Sequence, residues 1–258
     1  MTTAESNYPD SYYLHSANSI KHRPRLTESI DADVCIIGGG YTGLLAALNL
    51  SEKNYRVVLL EANKIGWGAS GRNGGQVGSG HNKKIDRLEK DYGTSLAREL
   101  WNLSEDAKNI VKDRITNHHI NCDLSHGNMT VSNNPADDAG HRRYVEKLNK
   151  DYAYDSIRYV DQEEVYDIFH SPFFTGGGSV DMGGMHLHPL NYALGLADAA
   201  EQQGVQIYEN SRVLGYSKGS TSQVTTDHGK VRAKIVVLAC NAYLEKLEKR
   251  IAGKIMPI

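Results

Sequence analysis

An α/β fold built on a doubly wound sheet is predicted by three features of the 258-residue sequence. Two short apolar segments, Asp33–Ile37 and Arg56–Leu60, flank a stretch with apolar residues at 44, 45, 47, 48 and 50, the spacing of a helical face. All three fit within about 30 residues, the length of a βαβ unit with parallel strands. Eleven of the 25 glycines crowd between Gly38 and Gly80, where the first strand meets the helix and after the second strand.

The rest of the chain follows in order. Residues 1–29 read as a loosely structured leader with Pro9 and Pro24. Residues 82–117 are charged with periodic apolar positions (Leu88, Leu96, Leu100, Trp101, Ile110, Val111) and predict helix. A strand is expected over 127–132, helices over 136–150 and 162–169, and strands over 173–180 and 184–188. Residues 190–203 are amphipathic and stop at Gly204, a suitable C-terminal cap. Strands are then expected at 205–208, 212–218, 223–226 and 234–239. No internal repeat or low-complexity segment occurs.

Composition narrows the function. The formal charge of −2 lacks the basic excess that a nucleic-acid or anionic-membrane surface needs. The longest apolar run, Ile235–Cys240, is far short of the ~20 residues that span a bilayer. The polar start has no basic-then-apolar signal. Three cysteines, Cys35, Cys122 and Cys240, do not make a disulfide framework. A cytoplasmic protein is expected.

Gly38-Gly39-Gly40-Tyr41-Thr42-Gly43 matches G-x-G-x-x-G between strand and helix, the Rossmann-like context in which that pattern has meaning. Gly38 permits the tight turn, Gly40 lets a pyrophosphate approach the backbone, and Gly43 lets the helix pack close to the sheet. Tyr41 and Thr42 open the helix, whose free N–H groups favour an anion. Glu61 closes the second strand beside Ala62. Its carboxylate can accept hydrogen bonds from a ribose diol and would repel a 2′-phosphate.

A second glycine run, Gly66 to Gln76, has no role in a plain nicotinamide dehydrogenase. Its backbone can form anion-binding hollows. Ser70 and Arg72 can hold phosphate oxygens, and Asn73 and Gln76 can bond a polar ring edge.

The blocks ADVCIIGGGYTGLLAALNL, VVLLEANKIGWGASGRNGGQ and GGMHLHPLNYALGLADAAEQQGVQIYENSRV resemble the FAD-dependent amine and amino-acid oxidoreductases of the D-amino acid oxidase superfamily. Within it the chain is most similar to the gamma-glutamylputrescine oxidoreductase branch. The resemblance implies an FAD-binding sheet over 30–85 and 190–258, with an inserted, incomplete α+β substrate domain over 95–185. It implies that Gly38, Gly40 and Gly43 cradle the FAD pyrophosphate and that Glu61 binds ribose. Ser70, Gly71, Arg72, Asn73, Gly74, Gly75 and Gln76 would line the path to the flavin. Val213 would meet adenine, and Ala239 and Asn241 belong to a loop that passes the cofactor again. The implied substrate is a small amine or amino-acid-like molecule.

Family members carry further substrate-sheet strands and a last glycine-containing strand and helix, for which this sequence has no counterpart after Cys240. A C-terminally truncated chain is therefore expected, with a complementing C-terminal chain as a partner and an unpaired sheet edge. Two alternatives stay open: an inactive truncated or split fragment, and an NAD-dependent dehydrogenase. No residue stands out as catalytic. His186 and His188 share one face if their segment is a strand, but a third ligand is missing, so no metal site is expected. No G-x-S-x-G elbow and no CxxC occur.

Overall fold

The structure is a computed structural model and describes residues 7–245 and 247–255; the first six residues of the expected leader and the last three of the chain lie outside them. In chain order the elements are α1 (Tyr12–His15), β1 (Ser29–Ile37), α2 (Tyr41–Ser51), β2 (Val57–Leu60), β3 (Gln76–Val77), α3 (Ile85–Asn117), β4 (Ser125–Val131), α4 (Asp138–Tyr152), β5 (Ile157–Val160), α5 (Gln162–Phe169), β6 (Gly178–His186), α6 (Pro189–Gln202), β7 (Gln206–Tyr208), β8 (Val213–Tyr216), β9 (Ser222–Thr226), β10 (Lys230–Leu238) and α7 (Lys249–Ala252). They divide into two units. The first comprises Met1–Asn73, Arg114–Cys122 and His188–Ile258, and the second Gly74–Asp113 and Asp123–Leu187.

The first unit is an α/β sheet of order β7-β2-β1-β10-β9-β8. The expected βαβ unit is present, with β1 and β2 parallel from Val34↔Val57 to Ile37↔Leu60. β7 and β10 extend the parallel part on either side, and β9 and β8 continue it as an antiparallel meander. All four residues of β2 are buried, as befits a strand covered on both faces. α2 and α6 pack on each other, α2 over β1 and β2 and α6 over β7.

Two features depart from expectation. The described part of the leader is packed rather than loose. Leu26 is fully buried, and the buried Arg23 guanidinium bonds Asp198 and Glu201 of α6. The second concerns β10. It follows β1 as far as Leu238 but meets β9 only over Lys230–Ala233. Ile235 is 51% exposed, while Val34, its register partner, is completely buried.

The second unit is an antiparallel sheet in which β6 pairs with β3, β4 and β5. Residues 173–180 and 184–188, read as two strands, form the single strand β6 from Gly178 to His186. β4 and β5 hold both of its sides over Gly178–Asp181, and β3 and β4 hold Met185 and His186. β5 has no counterpart in the sequence reading; four residues of IRYV are too short a signal. The core includes Leu88, Ala97, Val145, Leu148 and Trp101, whose ring meets Tyr152 and Tyr154 edge-on. α3 is broken at Gly93, where the backbone turns to φ 81°.

Lys108 is buried inside this unit. It pairs with Glu105 at 2.8 Å and donates to Ser79 Oγ, Tyr154 Oη and the Gly183 carbonyl. Asp181 accepts from Tyr154 Oη, Ser79 Oγ and the Gly183 and Gly184 N–H groups. Burial and Asp181 push the Tyr154 hydroxyl pKa well up.

Candidate functional site

A cavity of about 740 Å³ lies in the first unit, where β1, β2 and β10 end and α2 begins. Its geometry starts from two glycines. Gly38 leaves β1 with φ 116°, and a Cβ there would sit 2.4 Å from the Ala239 carbonyl oxygen. A Cβ at Gly43 would sit 1.9 Å from the Gly38 carbonyl oxygen, so α2 can lie against the turn only with glycine at this position. Gly38 to Thr42 therefore line the cavity. Gly40 caps α2 without a side-chain hydrogen bond. The start of a helix left this way offers backbone donors and a partial positive charge.

Ser70 does more than the sequence suggested. Its Oγ accepts the Tyr41 N–H at 3.0 Å, joining the two glycine loops. Tyr41 in turn donates its hydroxyl to the Pro189 carbonyl, and burial pushes its pKa up to about 12.

Glu61 follows β2. One carboxylate oxygen accepts the Gly39 N–H at 2.7 Å and the other the Asn63 N–H at 2.8 Å. Burial raises its carboxyl pKa above the usual range despite those bonds, and the nearby Glu209 charge adds to the rise. An acid raised in the folded state stabilises the fold below its ordinary pKa and loses that contribution as pH climbs through the raised value. Urea midpoints between about pH 4 and pH 8 should therefore fall with rising pH in the ligand-free protein relative to Glu61→Gln. Parallel profiles for the two proteins would show that Glu61 is not the titrating group.

The remaining wall comes from later strands. Val213 opens β8, and Ala239, Cys240 and Asn241 follow β10, with the Ala239 N–H bonded to the Ile37 carbonyl. Burial pushes the Cys240 thiol up to about 11.

The cavity thus gathers Gly38, Gly40, Tyr41, Thr42, Glu61, Ala62, Ser70, Val213, Ala239 and Asn241. Gly43 stands behind the turn, and Gly71 is buried at the end of the 3₁₀ turn Ala69–Gly71. Arg72 donates to the Gly68 carbonyl, and Asn73 donates to the Ala69 and Ser70 carbonyls. Gly74, Gly75 and Gln76 belong to the second unit. There Gln76 pairs in register with His186, and the Gly75 carbonyl accepts the Leu187 N–H.

Gly39, Trp67 and Tyr243 also line the cavity, and sequence reasoning passed over them. Trp67 sits inside the quoted glycine run, whereas nothing around Tyr243 marks it. His188 is not on a strand: its Nδ1 accepts the Asn191 N–H and caps α6. Among the described residues no group of three His, Cys, Asp or Glu side chains could hold a metal ion, and no helix is long and apolar enough to cross a membrane.

An adenine dinucleotide fits these residues. The helix start behind Gly40 and the glycine turn suit a pyrophosphate, the Glu61 carboxylate suits a ribose, and the volume suits a ligand of that class.

Known proteins agree with this geometry. The chain is 39% identical over 253 residues to gamma-glutamylputrescine oxidoreductase of Escherichia coli, covering 98% of this chain and 59% of that protein. It is 38% identical over 253 residues to the probable oxidoreductase OrdL of Haemophilus influenzae, covering 96% of this chain and 58% of that one. The chain thus spans less than two thirds of the length of these relatives. Among solved structures, glycine oxidase from Geobacillus kaustophilus superposes with a TM-score of 0.67 at 20% identity, covering 86% of this chain and 58% of the other. A form of L-amino acid deaminase from Proteus vulgaris superposes with a TM-score of 0.70 at 18% identity, covering 95% and 61%. At these identities the likeness shows the fold. Residues 33–258 match the family described as FAD dependent oxidoreductase, which names FAD and leaves the NAD alternative without support. The strand-turn-helix cradle, the strand-end carboxylate and this match have one meaning: the chain belongs to the FAD dependent oxidoreductase family.

Proposed function

We propose that the chain carries the cofactor-binding part of a flavoenzyme that oxidises a C–N bond in an amine or amino-acid-like substrate. The observation that carries this reading is the cavity between the Gly38 turn, Glu61 and Ala239. Bound FAD would supply a two-electron acceptor for hydride from the substrate carbon. The chain's own residues bind and orient. Gly38, Gly40 and the first turn of α2 would hold the pyrophosphate, Glu61 the ribose diol, and Val213 the adenine. Arg72 is proposed to tune the flavin. Gamma-glutamylputrescine, from the name of the Escherichia coli relative, is the first amine to try.

The test is an anaerobic visible spectrum of purified protein supplied with FAD. A flavin absorption band that travels with the protein, and is lost on adding gamma-glutamylputrescine or a simple amino acid, is the expected result. Protein that stays colourless would remove the reading for this chain.

Among the described residues β10 pairs only with β1 beyond Ala233, which supports a second reading, in which a complementing C-terminal chain is needed for activity. FAD retained but not reduced until the unmatched part of the Escherichia coli relative is added would favour it.

A further inference from the structure

We propose that Tyr243, with Trp67 and Arg72, forms a clamp that sets how long the dinucleotide stays in the cavity. This inference rests on the FAD-binding reading above. Trp67 lies in the loop after β2, and Tyr243 on the 3₁₀ turn Asn241–Leu244 after β10, so two segments far apart in sequence bring their rings together on one cavity. Their centroids are 5.9 Å apart in an edge-to-face arrangement. The Arg72 guanidinium sits 5.3 Å from the Trp67 ring centroid and points Nη2 at Tyr243 Oη, 3.5 Å away. Gly68 lets the ring lie close, since a Cβ there would come 3.0 Å from Tyr243 Cε2 and push the ring back by a few tenths of an ångström. Glu245, just after that turn, also pairs at 3.7 Å with Arg212, which precedes β8.

These contacts hold the cavity walls together, yet each is of a weak kind. Tyr243 is 52% exposed, and the Arg212–Glu245 pair lies at the surface. An exposed ion pair and an exposed cation–π contact are each easily broken. The glycine cradle is different, because backbone atoms form it. The clamp can therefore open to admit a long ligand and close behind it, while the cradle stays in place. Among the described residues Arg72 donates from Nε to the Gly68 carbonyl and from Nη2 to Tyr243 Oη, which leaves Nη1 as a donor for a phosphate oxygen. Tyr243 is a positioning residue in this scheme: it restrains the ligand's exit and takes no part in chemistry.

The experiment measures FAD release from the full chain after dilution, through the recovery of free-flavin fluorescence. Tyr243→Ala should release FAD about tenfold faster than wild type, and Tyr243→Phe by less than about threefold, because the ring edge contributes more than the long hydroxyl contact. Arg72→Ala should fall between them. Melting curves of the ligand-free variants should overlay wild type, since these side chains are exposed. Release from Tyr243→Ala within about twofold of wild type would overturn the clamp and leave FAD binding intact. Wild-type protein that takes up no FAD would overturn both.

Discussion

Gly43→Ala should abolish FAD uptake and destabilise the first unit by about 3 kcal/mol. The added methyl would lie 1.9 Å from the Gly38 carbonyl oxygen, 3.1 Å from its carbon and 3.4 Å from Ala239 Cβ. Two of these three neighbours are backbone, so no flexible side chain can move aside. α2 must shift away from the β1 turn, and the helix start and the glycine turn that form the cradle then separate. Gly140→Ala is the matched control. It lies in α4, a Cβ there would meet nothing within 4 Å, and a helical glycine-to-alanine change stabilises by up to about 1 kcal/mol. Urea unfolding followed by circular dichroism, with FAD uptake measured in parallel, decides the matter. A Gly43→Ala protein as stable as wild type and yellow with FAD would show that the close approach is dispensable.

Lys108→Met should destabilise the second unit by about 3–5 kcal/mol, the range for removing one partner of a buried ion pair. The volume is nearly conserved, so the loss is electrostatic. Glu105 would lose its cation, and Ser79 and Tyr154 would lose a shared donor. Adding Glu105→Gln to Lys108→Met should recover part of the loss, because it removes the stranded charge. Denaturant titration of wild type, Lys108→Met and the double variant tests the coupling. Equal stability of Lys108→Met and the double variant would locate the cost elsewhere.

The fold was legible wherever one element produced its own signal. β1, α2 and β2 announce themselves by apolar runs and helical spacing, and α6 by amphipathicity and a glycine stop. β5 and the union of residues 178–186 into one strand were not legible, because both depend on neighbours far along the chain. β6 is continuous because β4 and β5 flank one half and β3 and β4 the other. The packed leader was hidden for the same reason: Arg23 is buried by carboxylates on α6, 175 and more residues away.

The candidate site divides in the same way. By itself the sequence pointed to an adenine dinucleotide, because a backbone hollow for pyrophosphate and a strand-end carboxylate need particular residue types at short, fixed spacings. Only the tertiary structure decided the contacts by which these segments are joined. Ser70 on the Tyr41 N–H, Ala239 against Gly38, and Tyr243 across from Trp67 are each set by how strand ends meet in a sheet. Local spacing carries backbone conformation. Contacts between segments far apart in sequence depend on register and packing, which no short stretch of residues encodes alone.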